Sequence, residues 1–379
     1  MKHSAVRFGA FFLASVFSVA QQADAPAPPA KANEPRKAEE ATPNFKFTGV
    51  ADAYASWNAN RPSSGLNQIH NFDVNSNSWN LGSAAFSVEH EGKRFNFRVD
   101  TGFGDMNNTI VAADPWHGAN RYVQQAYIGF KPFGGKPLKI EAGKFFTPAG
   151  GEVIETYNNF NTTRSPLFVL GIPYYHLGVR AVAPITKEWT GSIYVVNGWN
   201  NVYDNNSGKT FGATAAWTGK KSTLTLVYFG GPEKTGTTQG VRNLVDVVYG
   251  YTGKPWWNNY TEILWGGEDR VANASSAPGR DIWYGVAHAT RFNVSKNWSL
   301  SPRVSWFMDR NGFASGMPQR LIEMTGTVEY RLSKWVIVRG ELRRDLSNRQ
   351  YFDSRDQAAS TKTQDTALLG LTFLWRGSR

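Results

Sequence analysis

Between Thr147 and Pro173 the chain places two carboxylates three residues apart, Glu152 and Glu155, and one guanidinium, Arg164, among the aromatic rings of Tyr157, Phe160 and Phe168. Paired carboxylates are the residue types of general acid-base work, but nothing beside them supplies a nucleophile or an organised acceptor. The reading that fits better is a set of charges forming an electrostatic constriction, or simply a solvated loop. Elsewhere no nucleophile elbow, phosphate loop or HExxH motif occurs, and GFGD at 102–105 lacks the third glycine of a dinucleotide fingerprint. The six histidines are scattered without ligand spacing, and Asp204, Asn206 and Gly208 resemble a calcium loop whose closing glutamate is missing. These absences argue against an enzyme, a metal site and a resident cofactor. No basic stripe marks a nucleic-acid surface.

The 27 residues from 147 to 173 are too many for a passive connection, so the stretch must be functional or the elements around it misplaced. On either side lie alternating segments that read as strands. Lys2, His3 and Arg7, followed by the apolar run Phe8 to Val19 and small residues at Ala20 and Ala25, read as a secretory signal over residues 1–25. Residues 26–44, rich in Pro and Ala, predict a disordered leader. The chain has no cysteine, so an exported protein of this sequence has no disulfide framework.

Residues 45–379 form one continuous pattern, read as one domain. Segments of about ten residues with alternating polarity, separated by turn residues, are the signature of a transmembrane β-barrel. Sixteen strands are predicted, starting near Phe45, Asn80, Arg94, Arg121, Pro137, Tyr174, Trp189, Thr210, Ser222, Arg242, Asn258, Asp281, Asn297, Leu321, Trp335 and Gln364. Short turns such as EGKR (91–94), FGGK (133–136), TGKK (218–221) and LSKW (332–335) alternate with long connections. In an outer-membrane barrel the short turns face the periplasm, which places both termini there and the long loops outside.

The pleat assigns the faces. Arg94, Asn96, Arg98 and Asp100 oppose Phe95, Phe97 and Val99, and Arg339, Glu341 and Arg343 oppose Val338 and Leu342. A charge on a lipid face costs about 2–4 kcal/mol near the midplane, so the charged stripes must face the lumen. Arg94, Arg98, Arg180, Arg339, Glu341 and Arg343 are thereby expected to line the wall. Trp57, Trp199 and Trp265 at outer strand ends, with Trp189, Trp217, Trp298, Trp335 and Trp375 at inner ends, predict two interfacial girdles. The last strand, ALLGLTFLWRGSR, carries the apolar face by which barrels are recognised for insertion, and departs from that pattern only in the residues after Trp375. A soluble sandwich would alternate similarly with its faces inverted.

The formal charge is +11, with aromatic residues at 14% of the chain. The excess lies in the short turns and strands, while the long loops are net acidic, so a weak anion preference is the most that charge implies.

The runs AGKFFTPAGGEVIE, NNFNTTRS, YYHLGVR and VVNGWNNVYDNNSGKTFGA, with FRVDTGFGD at 97–105 and YVQQAYIGF at 122–130, resemble the bacterial β-barrel porin family described as OmpL-like. A barrel of sixteen strands leaves an aqueous channel, so small hydrophilic solutes or ions are expected to pass by diffusion, narrowed by the loop at 147–173; the resemblance implies an outer-membrane pore. It also implies outer-membrane lipids, lipopolysaccharide and the barrel-assembly machinery as partners. A homotrimer follows only by analogy with general porins. A barrel serving as adhesin or enzyme scaffold, or a soluble carbohydrate-binding sandwich, are the alternatives.

Overall fold

The computed structural model describes residues 45–114, 121–133, 137–271 and 277–378. The expected signal (1–25), the leader (26–44) and most of the FGGK turn lie outside them. Sixteen antiparallel strands close into one barrel, each paired with its sequence neighbours and β1 (Phe45–Asn58) paired with β16 (Thr363–Ser378). A sandwich would leave edges; here none remains.

The intervening strands are β2 (Ser78–Glu91), β3 (Phe95–Phe103), β4 (Val123–Phe130), β5 (Lys139–Phe146), β6 (Tyr175–Pro184), β7 (Trp189–Val196), β8 (Thr210–Thr218) and β9 (Ser222–Gly231). They continue with β10 (Arg242–Lys254), β11 (Trp257–Arg270), β12 (Gly279–Asn293), β13 (Trp298–Asp309), β14 (Gln319–Arg331) and β15 (Val336–Ser347). Every strand begins within about two residues of its predicted start, because the period-two pattern is set by burial on one face only. A short helix, α1 (Asp105–Ile110), follows β3. No helix among the described residues is long and apolar enough to cross a membrane; the strands do the crossing.

Burial confirms the faces. On β13 Ser299, Ser301, Arg303, Ser305, Phe307 and Asp309 are buried, while Trp298, Leu300 and Val304 are exposed to the surroundings. On β15 Arg339, Glu341, Arg343 and Asp345 are buried and Leu342 is 70% exposed. A barrel whose outer face is apolar and whose charges point inward is an inside-out arrangement that only lipid makes favourable.

The girdle expectation needs one correction. Trp57, Trp298 and Trp375 are exposed on the outer face, as expected. Trp199 instead turns inward beyond β7, where its ring meets Trp283 edge-on and Arg242 lies 4.9 Å from its centroid. Once the strand has ended, period two no longer dictates direction.

The apolar core lies inside the barrel. Phe145, Tyr175, Phe229, Leu264, Trp283 and Phe307 from the wall pack with Ile69 and Phe72 of the first long connection, with Met106 and Ile110 of α1, and with Ile154, Leu167 and Phe168. Those last three belong to the connection between β5 and β6.

Candidate functional site

The connection between β5 and β6 folds into the lumen and binds the opposite wall. After Pro148 the chain turns at Gly150, whose φ of +105° favours glycine. The Gly150 amide donates to Asp246 Oδ2 on β10 at 2.6 Å, and the Gly151 amide to Glu262 Oε2 on β11 at 2.9 Å. A Cβ on Gly151 would stand 2.7 Å from the Tyr260 ring, so the backbone reaches the wall only because no side chain intervenes. Further along, Asn161 Nδ2 donates to Ser301 O at 2.9 Å and Thr327 Oγ1 at 2.7 Å. Glu341 accepts from the amides of Thr162 and Thr163 at 2.6 and 3.0 Å. Arg339 donates to the carbonyls of Thr156 and Asn159, and Arg343 to that of Arg164. The Trp283 indole donates to Gly171 O at 3.2 Å, and the Thr147 amide closes the loop base onto Tyr174 O at 3.0 Å. Irregular backbone at membrane depth must find protein or water for its polar groups, and the wall supplies them.

The loop also has an interior. The Arg164 guanidinium, fully buried, donates to the carbonyls of Val153 at 2.9 Å, Ile154 at 2.7 Å and Thr162. Glu152 accepts from the Ser165 amide at 2.7 Å and from Arg303 of β13 at 2.6 Å. Arg303 pairs at the same time with Glu323 of β14 at 3.0 Å and donates to Thr163 O at 2.6 Å. One wall arginine therefore joins two strands and both limbs of the loop.

The sequence expectation placed Glu152, Glu155 and Arg164 together at a constriction. In the structure Glu152 and Arg164 lie inside the folded loop, and Glu155 is separate from them and partly exposed. Its carboxylate is 3.6 Å from Arg98 of β3, which also pairs with Asp100 at 3.0 Å and lies 3.7 Å from Glu89. Beside it Arg376 stacks over the Tyr157 ring at 5.4 Å. Arg98, Glu155 and Tyr157 are partly buried and Arg376 is exposed, so the loop meets β3 and β16 through groups that water can reach.

Of the expected wall residues, Arg180 pairs with Glu141 at 2.6 Å beneath the rings of Tyr127 and Phe145. Arg339 pairs with Glu329 and Arg343 with Asp345, each at 2.8 Å, and Glu341 holds the loop. Arg94 is the exception. It sits exposed in the tight turn one residue before β3, because the hairpin closes there by Gly92 N–H donating to Phe95 O at 2.9 Å. The anchors Asp246 and Glu262 were not singled out from sequence, whereas Arg303 and Glu323 were expected only as lumen-facing charges, without their contact to the loop. Among the described residues no group of three or more His, Asp or Glu side chains could hold a metal ion.

A closed sixteen-stranded barrel, lipid-facing outside and crossed inside by a strapped loop, defines the class of outer-membrane channel proteins. The match to known families agrees: the chain belongs to the family described as "Putative beta-barrel porin-2, OmpL-like", whose model matches residues 44–374. It is an outer-membrane porin channel. No curated protein sequence matches it. Solved structures with the same fold include the outer membrane channel DcaP of Acinetobacter baumannii, at TM-score 0.60 and 8% identity, covering 89% of this chain and 99% of that one. A loop L8 deletion mutant of OmpT of Vibrio cholerae is similar at TM-score 0.57 and 13% identity, covering 87% and 99%. The anion-selective porin of Comamonas acidovorans is similar at 0.54 and 9%, covering 88% and 98%.

Proposed function

We propose that this channel passes small hydrophilic solutes by passive diffusion, and that the loop at 147–173 sets its width. The observation carrying this reading is the row of hydrogen bonds that ties the loop to β10, β11, β13, β14 and β15 across the lumen. A loop held at that many points narrows the lumen permanently instead of flickering in and out of it. Glu155, Arg98, Tyr157 and Arg376 then form the polar edge that a passing solute meets, with Glu152 and Arg164 acting from inside as the loop's frame.

The anion preference is weak because the wall cations Arg180, Arg303, Arg339 and Arg343 each stand against a carboxylate. A paired cation contributes far less potential to the pore axis than an isolated one. The channel takes no catalytic role. We further infer export by a signal at residues 1–25, insertion by the barrel-assembly machinery and contact with outer-membrane lipids. OmpT of Vibrio cholerae is described in a trimer form, and a homotrimer is the assembly we infer here.

The test is conductance of the purified, refolded protein in a planar bilayer. Discrete steps with linear current-voltage behaviour and a small reversal potential toward anions in a salt gradient are expected. A folded barrel that inserts without conducting would overturn the reading.

A further inference from the structure

Lysine recurs at one place in the barrel. The Gly92 amide donates to Phe95 O at 2.9 Å, the Thr186 amide to Trp189 O at 3.2 Å and the Gly219 amide to Ser222 O at 2.9 Å. The Ser295 amide donates in the same way to Trp298 O at 3.1 Å, and the Ser333 amide to Val336 O at 3.3 Å. Each bond closes a two-residue turn, and in all five the first residue of the turn is a lysine: Lys93, Lys187, Lys220, Lys296 and Lys334. Lys254, the last residue of β10, stands at a sixth turn. All six are exposed, and among the described residues none forms an ion pair. Lys254 and Lys334 lie over the rings of Trp256 and Trp335, at 5.1 and 4.5 Å, a contact that leaves the charge in place. Arg94, expected on the wall, is the second residue of the first turn and belongs with them.

Little opposes this charge. Glu188, beside Lys187, is the one acidic residue in the six turns. Of the acids at the adjoining strand ends, Glu91 is held by Lys131 and by Lys139 at 3.5 Å, and Glu89 by Lys46 at 3.2 Å. The opposite rim is built differently. There Arg270 pairs with Asp281 at 3.1 Å, Arg280 with Asp269 at 3.0 Å and Arg344 with Asp365 at 2.8 Å, and the long connections are net acidic. The two mouths of the channel therefore carry unlike fixed charge, with an unpaired basic ring at one end.

Sixteen strands about 4.8 Å apart and tilted by about 40° close a circle of roughly 16 Å radius. The field of a charge reaches about 30 Å in 0.01 M salt and about 3 Å in 1 M salt. In dilute salt the ring thus acts on the whole mouth from rim to axis, and in concentrated salt it acts on nothing beyond the turns themselves. A mouth ringed by one sign of charge raises the local concentration of the opposite ion. We propose that the turn lysines are specificity-determining residues of the channel, which gather small anions at the turn-side mouth. The resulting anion preference grows as salt is diluted and acts from one end only. The paired wall cations account for the weak preference that remains in concentrated salt. The proposal rests on conduction through the lumen.

The experiment compares the full refolded barrel, in a bilayer of uncharged phosphatidylcholine, with a variant carrying Lys93→Gln, Lys187→Gln, Lys220→Gln, Lys254→Gln, Lys296→Gln and Lys334→Gln. Heat-dependent gel mobility reports the fold of both. In about 0.01 M potassium chloride the unmodified channel should rectify, with an anion-to-cation permeability ratio roughly threefold or more above that of the variant. In about 1 M salt both should conduct linearly with equal ratios. A second variant, Lys220→Cys with Lys334→Cys, is modified after folding, so its result is independent of how the sixfold change folds. An anionic thiol reagent applied on the turn side should lower the ratio in dilute salt, and a cationic one should return it toward the unmodified value. A folded barrel that passes no current overturns the diffusion reading and this proposal together. Currents whose preference in dilute salt survives the sixfold change or the anionic reagent, or a reagent effect obtained from the opposite side, overturn this proposal alone.

Discussion

Arg303 and Glu152 stand 151 residues apart in the chain and 2.6 Å apart inside the barrel, where the guanidinium of β13 closes on the carboxylate of the lumen loop. Glu323 shares the same guanidinium from β14. Removing one member of a buried pair leaves the others charged and unpartnered, which costs about 3–5 kcal/mol. Arg303→Met should therefore free the loop, without opening the strand ladder, since no backbone bond is lost. Protease sensitivity within residues 150–166, at unchanged heat-dependent mobility, is the expected result. Adding Glu152→Gln and Glu323→Gln should restore part of the protection.

Selectivity should respond to exposure and not to charge count. Arg98 and Glu155 are each 23% exposed in their side chains, whereas Arg343 and Asp345 are 1% and 2% exposed. Arg98→Gln is expected to move the reversal potential in a salt gradient toward cations. Arg343→Gln is expected to lower stability with a smaller effect on ion preference. If Arg343→Gln shifted the potential more, the permeation path would run along β15.

The strands were legible because one rule repeats sixteen times. Glu323, Thr325, Thr327 and Glu329 against Ile322, Met324 and Val328 can be placed without knowing any neighbour. The loop anchors were not legible in the same way. Asp246 and Glu262 read simply as inward carboxylates, and nothing local reveals that the amides of Gly150 and Gly151, 96 and 111 residues away, would meet them. Glu152 and Glu155 look equivalent in sequence, yet three residues of irregular backbone turn one onto Arg303 and the other onto Arg98. Arg94 shows the opposite limit: its parity is right, but the strand stops one residue short of it.

The first long connection carries a pH-dependent contact. His70 lies against the Asp73 carboxylate through Nδ1 and 3.6 Å from Asp345 through Nε2, with the Arg343 charge behind. Burial acts to lower the imidazole pKa, but Asp73 and Asp345 outweigh burial and Arg343 and hold it above the ordinary 6.5. A group raised in this way stabilises the folded contact fully below its unfolded value and loses that contribution as pH rises through the folded value. Asp73 is held low chiefly by His70 against the cost of burial, so its contribution persists from above 3.8 and fades only at stronger acid. Amide exchange across residues 66–76 should thus be slowest between mildly acidic and neutral pH and speed up on the alkaline side beyond intrinsic exchange. His70→Gln should flatten that alkaline dependence; protection increasing with pH in the unmodified protein would contradict the contact.

Orientation is open to direct labelling. Thr238 and Ala358 are exposed on long connections, and Lys220 and Ser333 on short turns at the other end. The chain has no cysteine, so single substitutions report without background. On intact cells a membrane-impermeant maleimide should modify Thr238→Cys and Ala358→Cys but not Lys220→Cys or Ser333→Cys. Labelling of the second pair alone would invert the barrel.

The decisive prediction concerns the loop itself. Replacing residues 150–166 by a short Gly-Ser linker removes the amides that satisfy Asp246, Glu262 and Glu341, and the carbonyls that satisfy Arg339 and Arg343. In a dry interior those five polar groups would be costly to leave unpaired, about 1–3 kcal/mol for each lost partner. In a channel, water fills the vacated volume and solvates them, and the strand ladder that closes the barrel is untouched. The variant should therefore fold, migrate with normal heat dependence, and conduct with larger single-channel steps and a higher solute size limit. Conductance equal to that of the unmodified protein, in a barrel that has folded, would mean that the permeation path runs elsewhere and that the loop supports the wall without setting the pore.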